Sequence, residues 1–359
     1  MKKIIITSGG SQLLTQIATL KHLNLPLEDY DVYYAGIYVE ELETVLTSMC
    51  NTFGMKYEGC ISTLLSLKPV RIRHLLFPSA WRRLFSLKPM LGELTEQLPL
   101  LRHMKGTDVV ISFRHKMLAD VFLLVGIQPA SVILTADGVI DKPSCRNLNG
   151  WQWGKIRTPI NQIPVSGKVY TPSYIEKDST KIGAVEVIPD EILFDCFEKA
   201  RKDEACSLLE KEISLYKSPK AVIFSQHLAL INSCSESIEL VYYRDIILDL
   251  IKSGQYPIVV KPHPRDTAIK FDLLKSLLAE HQDKVVFLSK EASAIPIEVL
   301  QSYFQAIDVE FITASSSAPL SVDSKMSRIT NYKADYLPQR LQKEIEDFSI
   351  KYRCCLKQL

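Results

Sequence analysis

Short apolar runs alternate with longer amphipathic stretches along most of this chain. Lys2 to Thr7, Asp31 to Gly36, Asp108 to Phe113, Ser131 to Ala136 and Lys168 to Thr171 read as strands in the first half. Lys220 to Phe224, Ile258 to Val260, Lys284 to Leu288 and Val309 to Ile312 read the same way in the second. Strands that are apolar throughout, such as Ile258-Val259-Val260, belong inside a parallel sheet covered on both faces. Between them, Leu13 to Leu20, Val39 to Met49, Asp190 to Tyr216, Glu236 to Ser253, Phe271 to Glu280 and Pro338 to Tyr352 carry helical spacing. Gly254 caps one of these helices, and Pro296 stands in the first turn of a helix opened by Ile295 to Leu300. Strand, turn and helix in succession, twice over, predict an α/β chain of two doubly wound, Rossmann-like domains. The expected extents are 1–190 and 191–335, with the connection inside 175–217. The terminal helix within 336–359 is expected to return to the N-terminal domain.

Composition narrows the class. The 359 residues suffice for two cores, and 47% hydrophobic with 23% charged is ordinary for a water-soluble globular chain. A net charge of +2 gives no general argument for nucleic-acid binding, and none is expected. The basic residues are nevertheless clustered. No acid stands between Glu58 and Glu93, whereas Lys68, Arg71, Arg73, Arg82, Arg83 and Lys88 all do, interleaved with Phe77, Trp81 and Phe85. Three readings of Leu64 to Leu91 stand: amphipathic helices packed on the domain, a surface for anionic lipid, or a groove for an acidic polymer. Eight cysteines without a Cys-x-x-Cys pair suit a reducing cytoplasm rather than a disulfide scaffold or a zinc site. Met1-Lys2-Lys3 before three isoleucines imitates a signal peptide, but the apolar run is too short. No later run reaches the about 18 apolar residues of a membrane span.

Candidate chemistry sits where strands end. In open α/β sheets, ligands bind beyond the carboxyl ends of the strands. After the first strand, Ser8-Gly9-Gly10-Ser11-Gln12 is a glycine turn running into a helix, neither a dinucleotide fingerprint nor a Walker loop. Its glycines would let a ligand approach the backbone, and a plain structural turn explains it equally well. Arg114 follows the strand ending at Phe113, and Ala136-Asp137-Gly138 ends the strand from Ser131, aiming a carboxylate outward unless it is an ordinary Asp-Gly turn. Trp151 and Trp153 lie in the turn-rich stretch Asn147 to Pro164, a flap over a site or simply a long loop. Ser225-Gln226 repeats the first-strand layout in the second half. Lys261-Pro262-His263-Pro264-Arg265 is a cationic turn in which two prolines restrict the backbone around one imidazole. Glu298 opens a helix, and Ser315-Ser316-Ser317 follows the strand ending at Ile312. Hydroxyls suit phosphate oxygens, a carboxylate suits ribose hydroxyls, and a histidine beside a leaving phosphate offsets growing negative charge.

Asp137-Gly138, His263-Pro264, Glu298 within Ile-Pro-Ile-Glu-Val-Leu and Ser315-Ser316-Ser317, in this order, resemble the motifs of bacterial sialyltransferases. The resemblance is to the groups that sialylate lipooligosaccharide or build polysialic-acid capsules, and it covers chiefly residues 131–141 and 220–320. It implies a GT-B fold, in which two such domains face each other across a cleft. It also implies inverting transfer of sialic acid from CMP-sialic acid to a glycan hydroxyl, with no cofactor and no essential metal. By position, Asp137 would be the general base and Gly138 would fix the turn behind it. His263 would assist departure of the phosphate, and Glu298 would hold the ribose. Ser316 and Ser317, with Ser315 a further candidate, would bind phosphate; Lys261, Pro264 and Gln226 complete the nucleotide side, and Gly9, Gly10, Ser11 and Arg114 the facing loops. Ala136 stands where the family motif has a second acid. Either Asp137 alone serves as base, the reading taken here, or the activity is weakened.

Two rival readings remain open. One is a GT-B transferase with another donor, CDP-polyol phosphate or CMP-Kdo. The other is a non-catalytic basic scaffold at the inner face of a bacterial cytoplasmic membrane. The expected location is cytoplasmic, with peripheral membrane contact through Leu64 to Leu91.

Overall fold

Two parallel sheets, one per half of the chain, take up the all-apolar runs. The computed structural model describes residues 2–36, 38–61, 106–112, 130–136, 152–153, 156–157, 165–174, 184–216, 218–229, 233–323 and 326–359. The segment 64–91, Arg114, Asp137, Gly138 and Trp151 lie outside the described residues. Two compact units result, Met1–Tyr38 with Leu46–Cys196 and Val39–Val45 with Phe197–Leu359.

In the first unit, β1 (Lys3–Thr7), β2 (Tyr30–Ala35), β3 (Lys56–Ile61), β4 (Asp108–Ser112), β5 (Ser131–Thr135), β8 (Val165–Thr171) and β9 (Ala184–Val187) form one sheet. Its order is β3-β2-β1-β4-β5-β8-β9, and every pairing is parallel. A small antiparallel ribbon, β6 (Gln152–Trp153) with β7 (Ile156–Arg157), lies in the stretch expected to be turn-rich. Helix α1 (Gly10–His22) follows β1, and α2 (Glu40–Thr52), whose residues up to Val45 are grouped with the second unit, follows β2. Ile4, Ile5 and Ile6 are all buried because both faces of the sheet are covered, which is why the run has no polar alternation.

The expected single helical stretch from Asp190 to Tyr216 is two helices, α3 (Asp190–Arg201) and α4 (Glu204–Ser214). The break is chemical: the Asp203 carboxylate accepts the Cys206 N–H at 3.2 Å and caps α4. The division between the units falls at Cys196 and Phe197, inside α3 rather than at its start.

The second unit holds β10 (Ala221–Phe224), β11 (Ile258–Lys261), β12 (Val285–Phe287), β13 (Glu310–Thr313), β14 (Ile329–Lys333) and β15 (Cys355–Gln358), parallel throughout in the order β12-β11-β10-β13-β14-β15. Its helices are α5 (Glu236–Lys252), α6 (Ala268–Leu277), α7 (Lys290–Ala294), α8 (Gln301–Gln305), α9 (Ala318–Val322) and α10 (Gln339–Tyr352), with a 3-10 turn at Ile297–Leu300 before α8. The terminal helix falls within the second unit, Phe197–Leu359. Its apolar face, Leu341 and Ile345, is buried in the same cluster as Tyr242, Ile246 and Tyr332, and β15 beyond it pairs with β14. An amphipathic helix buries its stripe against the nearest sheet, and here that is its own. Among the described residues no helix is long and apolar enough to cross a membrane.

Candidate functional site

The second sheet runs from β10 to β11 and β12 on one side, then resumes at β13 on the other. Strand order therefore reverses between β10 and β13, and the crevice beyond their carboxyl ends is the place such a sheet offers to a ligand. Three exits converge there: Ser225-Gln226-His227 after β10, Pro262 to Asp266 after β11, and Ala314 to Ser317 after β13.

The β11 turn is tied to its neighbour by side chains. Ser225 Oγ accepts the His263 N–H at 3.0 Å and donates to Asp266 Oδ2 at 3.3 Å. The Asp266 N–H donates to His263 O at 2.9 Å, closing a turn with Pro264 at its second position, where a fixed φ is favourable. The Arg265 N–H donates to His263 Nδ1 at 3.1 Å. Nδ1 is thus the acceptor nitrogen, which assigns the neutral ring's hydrogen to Nε2. Burial pushes the His263 pKa down to about 2, and the positive charge of His227, Arg265, Lys261 and Lys270 adds to the shift. The His227 ring packs on His263 with centroids 3.9 Å apart and planes at 52°.

Behind the turn lies a buried charge cluster. Lys270 Nζ, on α6, donates to Glu239 Oε1 of α5, to Asp266 Oδ1 at 2.9 Å and to Gln226 O at 3.5 Å. Glu239 accepts the N–H groups of Leu228 at 3.2 Å and Ala229 at 2.9 Å, which fixes the loop carrying His227. Burial raises the Glu239 pKa, with Lys270 opposing that rise. The Tyr243 hydroxyl accepts the Gln226 N–H at 2.7 Å.

Gln226 spans the switch point. Its Oε1 accepts the Ser315 N–H at 2.8 Å and its Nε2 donates to Ser315 Oγ at 3.4 Å. Ser315 Oγ in turn donates to Glu344 Oε1 at 2.8 Å, so this hydroxyl sits beside a carboxylate and is poorly placed for an anion. Ser316 and Ser317, half-buried, are the better candidates in the triplet. The Ser316 N–H donates to Thr313 Oγ1 at 2.8 Å, and Asn331 Nδ2 holds the turn by donating to Thr313 O at 2.9 Å and Ala314 O at 3.1 Å. Helix α9 after the serines has only five residues and contributes little dipole.

Lys261 ends β11 and is buried, with Nζ donating to Ser293 O at 2.5 Å. Burial lowers its pKa to about 8, and the buried carboxylate of Glu298 opposes the drop. Lysine and glutamate thus form a partly compensating pair beneath the turn, a role their sequence positions did not announce. In the first unit, Gly9 is the residue before α1, in extended backbone that any residue adopts. A Cβ built there would meet nothing within 4 Å, so that face of the turn is open. Gly10 and Ser11 begin the helix.

His263, Gln226 and the serines, expected from sequence, come together in the second unit. His227 and Asn331 were missed. His227 lacks flanking prolines, and its only sequence signal is the strand exit it shares with Gln226. Asn331 lies in a strand too polar to be read as one.

Residues 158–304 match the family model described as alpha-2,8-polysialyltransferase (POLYST). That span includes Gln226, His227, Lys261, His263 and Glu298 but neither Asp137 nor the serine triplet. Among solved structures, the chain is similar to residues 113–497, the GT-B domain, of a sialyltransferase from Photobacterium damselae, at 10% identity over 100% of both chains with a TM-score of 0.51. It is also similar to a UDP-GlcNAc 2-epimerase from Methanocaldococcus jannaschii, at 13% identity over 99% of this chain and 88% of that one with a TM-score of 0.52. No curated protein matches the chain. A transferase and an epimerase on one architecture show that these likenesses carry the fold and leave the reaction to the site. The chain has the GT-B fold, and its residues 158–304 are similar to the alpha-2,8-polysialyltransferase family.

Proposed function

We propose that this chain transfers sialic acid from CMP-sialic acid to a glycan hydroxyl with inversion. The observation that carries the reading is His263: a neutral imidazole with hydrogen-bearing Nε2, fixed at the switch point within the segment that matches the polysialyltransferase model. A phosphate seated against it accepts the Nε2–H hydrogen bond, which strengthens as the sugar leaves and charge builds on oxygen. Ser316 and Ser317 supply hydroxyl donors, and Lys261 a buried positive charge behind the turn. Glu298 is assigned the ribose hydroxyls and Asp137 the acceptor's proton, both on the resemblance of their motifs. Gly9, Gly10, Ser11 and Arg114 are assigned to the facing loops on the same ground. No metal or cofactor enters this reading, in which the Nε2–H donor of neutral His263, the serine hydroxyls and the Lys261 charge behind the turn together offset the phosphate's charge.

The acceptor is proposed to be a cell-surface glycan, lipooligosaccharide or capsule, with the basic segment Leu64 to Leu91 meeting a polyanionic acceptor or anionic lipid. The test of function is release of CMP from CMP-sialic acid in the presence of sialylated acceptors. His263→Ala is expected to lower turnover at least about a hundredfold while the thermal unfolding profile stays cooperative. Near-full activity in that variant would remove His263 from the mechanism.

A further inference from the structure

The turn after β13 has few donors to offer an anion. Three of its N–H groups are already engaged: Ser315 N–H with Gln226 Oε1 at 2.8 Å, Ser316 N–H with Thr313 Oγ1 at 2.8 Å and Ala318 N–H with Ser316 Oγ at 3.2 Å. A diphosphate is commonly held by free backbone N–H groups of a glycine turn with a full helix behind it. Here the helix behind is the five-residue α9, and no glycine stands between Ala314 and Val322. The hydroxyl protons of Ser316 and Ser317 remain, a set suited to one phosphate group. The third hydroxyl is committed elsewhere. Ser315 Oγ donates to Glu344 Oε1 at 2.8 Å and accepts from Gln226 Nε2 at 3.4 Å. Glu344 comes from α10 and is exposed. Two residues on, Glu346 is paired with Lys333, whereas Glu344 has no ion pair among the described residues. A carboxylate thus stands at the rim of a turn whose other side chains suit an anion.

We propose that Glu344 restricts this site to a nucleoside monophosphate: its carboxylate repels a second phosphate and holds back Ser315, the next hydroxyl such a group would need. This deepens the reading of the site as one for a CMP-sugar and rests on it. The phosphodiester of CMP-sialic acid carries a single negative charge, and the sugar's carboxylate hangs from the carbon beyond the bridging oxygen. A nucleoside diphosphate instead places its further charge on a phosphate that competes for the same turn, beside Glu344. Repulsion of this kind is specificity against the wrong ligand rather than affinity for the right one. The architecture does not impose it, since a UDP-GlcNAc 2-epimerase shares the fold.

The probes are CMP and CDP, titrated calorimetrically into the full chain in buffer free of divalent cations. The wild type is expected to bind CMP roughly tenfold more tightly than CDP. Glu344→Gln keeps an oxygen for the Ser315 hydroxyl and removes the charge. It is expected to bind CDP roughly tenfold more tightly than the wild type does, with CMP affinity changed by less than about threefold, so that the preference collapses. Ser315→Ala removes the hydroxyl and keeps the charge, and is expected to retain the preference. A role confined to the hydrogen bond predicts the reverse pattern. A Glu344→Gln protein that prefers CMP as strongly as the wild type overturns the proposal and leaves the CMP-sugar reading standing, as does loss of the preference in Ser315→Ala. A wild type that binds neither nucleotide, or binds CDP as tightly as CMP, overturns the CMP-sugar reading itself and the proposal with it.

Discussion

An imidazole whose Nδ1 already accepts a backbone N–H gives up that bond when it takes a second proton, and His263 is such a ring. Burial first, and then the cationic groups around it, put its proton affinity in the fold far below that of the unfolded chain, with a pKa of about 2 against an ordinary 6.5. Above pH 6.5 the ring is neutral in both states, and its burial is then without an ionisation penalty. As pH falls from 6.5 toward 2, the unfolded chain binds a proton that the fold refuses, so stability is lost through that window. The melting temperature is expected to drop between about pH 6.5 and pH 5, and His263→Gln is expected to flatten part of that fall. Parallel curves for the two proteins would contradict the account. The residue was legible in sequence because two prolines and a strand exit framed it. Its tautomer was not, because that depends on where the Arg265 N–H points. Nor was the commitment of Ser315 to Glu344, which lies 29 positions further on.

Elements place these residues, and the least visible of them does much of the placing. Lys270 and Glu239 have side chains 4% and 1% exposed, and together with Asp266 they join α5 and α6 to the loops after β10 and β11. Removing one partner strands the others as buried charges. Lys270→Met is expected to destabilise the chain by about 3–5 kcal/mol in urea unfolding with an unchanged slope, and a loss under about 1 kcal/mol would contradict the role given to the cluster. Sequence spacing gave no hint of it, because on α6 the lysine reads as one more solvated charge. The central strands β1, β10 and β11 were legible as apolar runs. β3, β9, β14 and β15 were not, since each carries polar residues at positions where an interior strand is expected to be apolar. The helix α10 was legible as amphipathic, but amphipathicity says that a stripe is buried and not which sheet it covers. Ile345→Ala is expected to cost about 2–5 kcal/mol, as in other large-to-small core changes, and to lower the midpoint of the unit that carries β10 to β15. A cost near zero would mean that α10 does not belong to that core.

At the scale of the molecule, two parallel α/β units of GT-B type explain why one sheet reversal, between β10 and β13, gathers the histidines and serines that lie far apart in sequence. The architecture alone is shared with enzymes of other reactions, so the choice of nucleotide is what the site must decide. CMP at a hundred times its dissociation constant is expected to stabilise the fold by about 2.7 kcal/mol, with CDP and UDP less effective at equal concentration. Equal stabilisation by all three would favour a transferase with a different donor. A protein that binds anionic liposomes in a salt-sensitive way and never releases CMP would favour the scaffold reading. The most direct measurement is a crystal structure of the chain with CMP-3-fluoro-sialic acid. The account predicts the phosphate beyond the carboxyl ends of β10 and β13, with one oxygen within hydrogen-bond distance of His263 Nε2 and another at Ser316 or Ser317. A phosphate bound elsewhere on the second unit, with His263 turned from it, would contradict the account.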